Sequence, residues 1–207
     1  AYNKFTLTTV KQKLGVENYT LNFLPKSFAD FNVSQQLLNE LADAEGAAIA
    51  TEKAKSEHII LPVIKELKRQ NPNTFSYFSG YKFDVDKKLS LNGYCDFILS
   101  AAPNTPIIKY PVFCLVEAKK GEIEQGIGQC GAEMYAAELF NDHHQHPQQV
   151  IYGCVTNAFT WCFLKLEKKM LYVDTQQIPL SLAKPDAVLA ALQWILTQCL
   201  SETYKLK

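Results

Sequence analysis

The sequence is nearly without arginine: of 21 basic residues, only Arg69 is Arg and the rest are Lys. Arginine is the side chain that most often reads guanine in the major groove, so sequence-specific DNA readout by this chain alone is disfavoured. Net charge is missing too, with 21 basic residues against 21 acidic ones, which removes any global attraction to nucleic acid or anionic membrane. Any polyanion site must be local. Long apolar runs are absent: Val112 to Val116 and Ala187 to Leu192 fall far short of the roughly 20 residues that span a bilayer, so no membrane segment is expected. The six cysteines (Cys95, Cys114, Cys130, Cys154, Cys162, Cys199) contain no Cys-x-x-Cys pair, and several sit in apolar stretches such as Phe113-Cys114-Leu115. With no charged stretch, apolar run and cleavage site in series near Ala1, they read as small core residues in a reduced, cytoplasmic compartment. No repeat, low-complexity linker or break in composition divides the chain.

What is present is a core. An apolar content of 47% over 207 residues suffices for one globular domain spanning 1–207. Residues Phe5 to Gly15 predict a short amphipathic helix capped by Thr8 and ended by Gly15. An irregular aromatic stretch follows, and Ser34 then caps a helix carrying Leu37, Leu38 and Leu41. Ile59, Ile60, Val63, Ile64 and Leu67 keep helical spacing around Pro62, which marks a kink or a restart. After Asn71-Pro72-Asn73 the pattern turns to strands. Phe75, Tyr77, Tyr81, Phe83 and Val85 alternate in two phases about Ser79-Gly80, as in a bulged strand, and Leu89 to Ser100 reads as its hairpin partner. Pro111 to Val116 is almost wholly apolar, hence a strand covered on both faces.

Glu122 to Phe140 then predicts a helix, Val150 to Val155 and Phe159 to Leu166 a strand pair, and Leu171 to Val173 a short strand. A final helix runs from about Pro185 to Cys199; dimer contacts and coverage of the sheet explain its apolar face equally well. The fold class expected is α/β, a central mixed β-sheet flanked by helices.

Chemistry concentrates where charge meets the apolar strands. Asp96 lies in Gly93-Tyr94-Cys95-Asp96-Phe97, and Glu117 and Lys119 continue the strand that ends at Val116. Residues two apart on a strand share a face, so Glu117 and Lys119 project together while Ala118 points away. If the strands bearing Asp96 and Glu117 pair, two carboxylates and an ammonium meet at one end of a buried sheet. Charge is tolerated there only when paired or bound to a metal. A hard divalent cation, Mg²⁺ or Mn²⁺, suits carboxylate oxygens that leave positions for water and substrate phosphate. Lys119 would then orient a water and offset charge growing on a scissile phosphate.

At these residues the chain resembles the PD-(D/E)XK nuclease superfamily, with its restriction-endonuclease-like core of helix, three strands, helix and further strand. Asp96 matches the first acidic position and Glu117-Ala118-Lys119 the E-x-K; the preceding Pro is replaced by Cys95. Ser56-Glu57-His58-Ile59-Ile60-Leu61-Pro62 is similar to the helix ahead of the sheet in nuclease domains of type I restriction subunits, where a helical Glu stands near the metal. Tyr152 to Trp161 resembles the strand, Thr-Asn turn and Trp strand of the same domains. The segment Gln129 to Ala137 looks like uncharacterised bacterial proteins of this fold, many of them cyanobacterial.

The resemblance covers roughly residues 34–173 and implies Mg²⁺-dependent hydrolysis of DNA. It implies Asp96, Glu117, the Ala118 carbonyl and Glu57 around the metal, Lys119 assisting the nucleophile, and a Gln, either Gln125 or Gln129, facing the site. The family's Gln-x-x-x-Tyr spacing is not kept, since Tyr135 lies six residues after Gln129.

Plainer readings compete. Glu117 and Lys119 can simply pair with each other while Asp96 caps a turn. Lys65, Lys68 and Arg69 form a basic helix edge that touches a nucleic-acid backbone or only water. His143, His144 and His146 crowd one loop, yet no Cys or second spaced group completes a zinc tetrahedron. A non-catalytic nucleic-acid-binding or assembly module that keeps the fold is the alternative function, and hydrolysis of a smaller phosphodiester is a third. The chain has no G-x-x-x-x-G-K-[ST] loop and no room for a motor, unlike restriction assemblies.

Overall fold

A computed structural model describes residues 1–205. One eight-stranded mixed sheet runs through the molecule in the order β1 (Glu17–Thr20), β7 (Met170–Val173), β6 (Thr160–Glu167), β5 (Ile151–Thr156), β4 (Val112–Ala118), β3 (Tyr94–Ser100) and β2 (Ser76–Lys82), with β8 (Ile178–Pro179) attached to β6. Among the described residues no helix is long and apolar enough to cross a membrane.

α1 (Leu7–Leu14) is capped by Thr6 rather than Thr8. Thr6 and Thr9 bond each other's backbone N–H reciprocally, which Thr8, already inside the helix, cannot do. Gly15 ends the helix with φ +66. β1 (Glu17–Thr20), unexpected from its polar sequence, pairs in parallel with β7 (Met170–Val173) at the sheet's margin. The Ser34 hydroxyl accepts the Leu37 N–H and starts α2 (Gln35–Glu45).

Thr51 caps α3 (Glu52–Lys55), which passes without a break through a π-helical turn, Ser56–Ile60, into α4 (Leu61–Gln70). Pro62, the second residue of α4, directly follows the π-helical turn, so the helix is neither restarted nor ended there.

β2 (Ser76–Lys82) and β3 (Tyr94–Ser100) are antiparallel. Their register is unbroken across Gly80, so the phase change there is absorbed by φ +57 and not by an extra residue. β3 begins at Tyr94 instead of Leu89. The preceding residues are committed to turns, with Asp86 accepting the N–H groups of Lys88 and Leu89 and Asp84 that of Gly93.

β4 (Val112–Ala118) pairs antiparallel with β3 and parallel with β5 (Ile151–Thr156), joined to the latter through α5 (Glu124–His143). α5 outruns its expected end because Asn141, buried, donates to and accepts from the backbone of Val112. β6 (Thr160–Glu167) and β8 (Ile178–Pro179) complete the sheet, and α6 (Asp186–Lys205) closes the chain.

Two apolar clusters lie on opposite faces. One joins Leu37 and Leu41 of α2, Val63 and Leu67 of α4, and Val188, Leu192 and Ile195 of α6 to Phe113, Val116, Cys154 and Phe163 of the sheet. The apolar stripe of α6 is thus spent on the sheet. The other joins Val10 and Leu14 of α1 and Ile127, Met134 and Ala137 of α5 to Ile98, Leu115 and Val155. Both faces of β4 are covered, and every one of its residues is buried. The carboxyl ends of the parallel strands β4 and β5 therefore form the one place on this buried ladder where polar side chains emerge, the usual ligand position in such sheets.

Candidate functional site

The register Phe97↔Val116 and Ile98↔Leu115 brings Asp96 opposite Glu117, one step past the last ladder pair. Asp96 Oδ2 accepts the Ala118 N–H at 2.8 Å, tying the carboxyl to the backbone of β4. Glu117 Oε1 takes the Lys119 Nζ at 2.6 Å, the pairing that the plain reading of E-x-K requires. Its other oxygen, Oε2, is buried with no N–H or hydroxyl donor among the described residues, and the Glu133 carboxyl lies within hydrogen-bonding reach of Glu117.

α5 supplies the remainder. Gln129 Oε1 accepts from Lys119 Nζ at 3.2 Å, while its Nε2 donates to Glu133 Oε1 at 3.1 Å. Gln129, not Gln125, is therefore the glutamine turned to Lys119. Glu133, fully buried one helical turn further on, was not anticipated from sequence; it faces Glu117, and Glu133 Oε2 is also without a conventional donor. A signal existed. In Gln129-Cys130-Gly131-Ala132-Glu133-Met134 one acid stands in a helix whose small and apolar residues leave it no polar face, a pattern that buries whatever it contains.

Gly126 makes the approach of α5 feasible. A Cβ there would lie 2.5 Å from Val155 Cγ1 and 3.1 Å from the Lys119 stem, so the lysine crosses the helix where only hydrogen fits.

The helical acid that acts on this group is Glu52. Its charge bears on Asp96, Glu117 and Lys119, and its Oε2 accepts the Lys120 N–H at 3.2 Å. Lys55 Nζ adds a 2.7 Å bond to the Lys120 carbonyl, fastening α3 over the exit of β4. Glu57 stands on the rim with 56% of its side chain exposed, 3.7 Å from Lys53. It does line, with Glu52, Ser56, Gly80 and Asp96, a cleft of about 320 Å³. The π-helical turn moves the helix out of its regular phase between Glu52 and the buried Ile59 and Ile60.

Burial, reinforced by Asp96, pushes the Glu117 carboxyl up to about 8, with Lys119 only partly offsetting it. Glu133 is driven well above the usual carboxylate range, first by burial and then by Glu117. Burial also raises Asp96, against the pull of the Ala118 N–H. Burial would lower Lys119, but the charge and hydrogen bond of Glu117 outweigh it and raise the ammonium.

Desolvated carboxyls that repel one another are an environment that a cation, or a proton shared between Glu117 and Glu133, relieves, and their hard oxygens match Mg²⁺ or Mn²⁺. No three His, Cys, Asp or Glu side chains among the described residues form a ready-made metal cage. The fit is that of two carboxylates, Asp96 and Glu117, with the remaining positions left for water and substrate.

Elsewhere, Lys68 donates to the carbonyls of Pro72 and Phe75, and Arg69 pairs with Glu66 and Glu40, so most of the basic helix edge is engaged internally. His144 and His146 both stack on Tyr110, with ring centroids at 4.8 and 4.4 Å. Comparison of the sequence with family models and with curated proteins returned no match.

Proposed function

We propose that this chain is a metal-dependent nuclease with a restriction-endonuclease-like core, hydrolysing phosphodiester bonds in DNA. The observation that carries the reading is the buried Glu117 carboxyl opposite Asp96 and 2.6 Å from Lys119, at the carboxyl end of the central strand. As a Glu–Lys surface pair it would be unremarked; sunk beside further acids, it is an arrangement that costs stability without a ligand.

Asp96 and Glu117 would hold Mg²⁺ or Mn²⁺ with the Ala118 carbonyl beside them, and the ion supplies polarisation of a phosphoryl oxygen and acidification of water. Lys119 does the complementary work. Its raised pKa keeps it an ammonium near neutral pH, so it donates hydrogen bonds and offsets developing phosphate charge; it is not a base. Gln129 fixes the direction of that ammonium, and the Glu133 carboxyl, raised by burial and by Glu117, stands beside Glu117. Glu52 closes the helical side of the site.

The test is Mn²⁺- or Mg²⁺-dependent cleavage of DNA by the purified chain. Lys119→Ala and Asp96→Ala should each reduce the rate by about 10² or more; cleavage at the wild-type rate by either variant removes the proposal.

A non-catalytic nucleic-acid-binding or assembly module is favoured by one observation, the zero net charge with the single Arg tied into Glu66 and Glu40. Calorimetry separates the readings: Mg²⁺ or Mn²⁺ binding abolished by Glu117→Gln supports the nuclease, and no binding supports the module.

A further inference from the structure

The two margins of the sheet differ. At one, β2 is broken by the positive φ of Gly80 (+57) and ends on Lys82, features that discourage a further strand from adding. At the other, β1 reads Glu17-Asn18-Tyr19-Thr20, with no lysine, proline or bulge, and its one charge, Glu17, is held by Lys11 at 2.8 Å.

The parallel ladder with β7 uses alternate residues of β1. Glu17 and Leu21 donate their N–H groups to the carbonyls of Lys169 and Val173, each at 3.0 Å. Asn18 and Thr20 therefore turn their N–H and C=O groups away from the sheet, and both residues are exposed, with no backbone partner on that side among the described residues. Side chains alternate as well, so Tyr19 and Leu21 stand together on one face of this margin, 50% and 43% exposed. The Tyr19 ring lies 6.0 Å from that of Tyr172.

A two-fold axis through Tyr19 makes this edge complementary to itself. Set antiparallel to a second β1, Asn18 falls opposite Thr20 of the other copy and Thr20 opposite its Asn18, so outward N–H groups meet outward C=O groups. Tyr19 then faces Tyr19 of the other copy in the closer, non-hydrogen-bonded pair, a favourable place for two aromatic rings. Glu17 falls opposite Leu21, so no like charges meet across the join. With 21 basic and 21 acidic residues, two copies also approach without long-range repulsion.

We propose that two copies of this chain join through β1, antiparallel and centred on Tyr19, into one continuous sheet. The join is remote from Asp96 and Glu117, since β4 stands four strands in from β1.

Sedimentation equilibrium of the purified chain tests it. The mass should rise from 23.4 kDa towards twice that value as concentration approaches about 100 µM, the weak range suited to so short an interface. Tyr19→Lys, which sets two ammonium groups face to face, should weaken association about tenfold. Thr20→Pro removes an N–H that β7 does not use, and it should do the same without lowering the melting temperature. The native cysteines are all buried, so a mild oxidant should cross-link Tyr19→Cys across the axis and leave Glu17→Cys monomeric. A chain that stays monomeric to about 100 µM leaves the edge to a strand of another protein and overturns the proposal. So does a dimer untouched by Tyr19→Lys and Thr20→Pro, or one in which Glu17→Cys cross-links as readily as Tyr19→Cys. Mn²⁺ binding at the site should be the same in all these variants, so failure of the nuclease reading leaves this result unaffected.

Discussion

At the scale of single residues, the site stores unfavourable electrostatics whose sign can be read from pH. Glu117 holds its proton up to about 8 in the folded chain, against an ordinary value of 4.5, chiefly through burial. The folded state thus binds a proton that the unfolded chain has released. The corresponding stability is complete below the ordinary carboxylate value and is lost as pH rises through the folded value. Glu133 shifts in the same direction. The cation-free protein should therefore melt at progressively lower temperature from about pH 5 to pH 8, and Glu117→Gln should flatten that decline. Thermal melts across this range check it, and a melting temperature rising toward pH 8 would contradict the assignment. At a fixed concentration Mn²⁺ or Mg²⁺, which replaces the proton, should stabilise more at pH 8 than at pH 5; a hundredfold excess over the pH 8 Kd stabilises by about 2.7 kcal/mol there.

Glu66 provides the opposite slope. Burial would raise its pKa, but the Ser34 hydroxyl and N–H, Gln70 and Arg69 outweigh burial and hold it low. Its contribution is present above its ordinary value of 4.5 and is lost in acid below it. Because it links the start of α2 to α4 from a fully buried position, Glu66→Ala should cost about 3–5 kcal/mol in denaturant unfolding.

At the scale of elements, α5 and the α3–α4 helix decide where the charges stand. Gly126→Ala would push a methyl group into Val155 and the Lys119 stem. Overpacking of this kind costs about 1–3 kcal/mol. The expected outcome is a modest loss of stability in urea unfolding together with a disproportionate loss of cleavage, because the lysine is displaced from Glu117. The π-helical turn of residues 56–60 sets the phase of Glu52 relative to the buried Ile59 and Ile60. Deleting Ser56 to restore regular helix should rotate Glu52 away from Lys120 by roughly one residue's turn. Calorimetric Mn²⁺ affinity should fall while the melting temperature changes little; unchanged affinity would remove Glu52 from the site.

At the scale of the whole molecule, the sheet with helices on both faces isolates its interior. Cys95, Cys114, Cys130, Cys154 and Cys162 are buried, and burial raises their thiols, Cys114 to about 12 and Cys162 to about 11. A thiol reagent should leave these five unmodified in the native protein and react with them on unfolding. Modification at native rates would show that the layers open readily.

The alternation of apolar residues, the cap at Ser34 and the apolar run at Val112 to Val116 by themselves determined an α/β chain with a central strand covered on both faces. They also brought out Asp96, Glu117 and Lys119, because acids and an amine on apolar strands break the period that surrounds them. β1 and β8 were illegible, since Glu17–Thr20 and Ile178–Pro179 owe their pairing to neighbours far along the chain and not to local propensity. Only the tertiary structure decided which helical acids stand near those groups. Glu52 joined Glu57 at the cleft beside Asp96, across a π-helical turn with no clear sequence mark, and Glu133 entered because the glycines of α5 let it press onto β4 and β5. A periodicity reports the face on which a residue lies, whereas the depth to which that face is buried, and hence which charges share a site, depends on elements that meet only after the chain has folded.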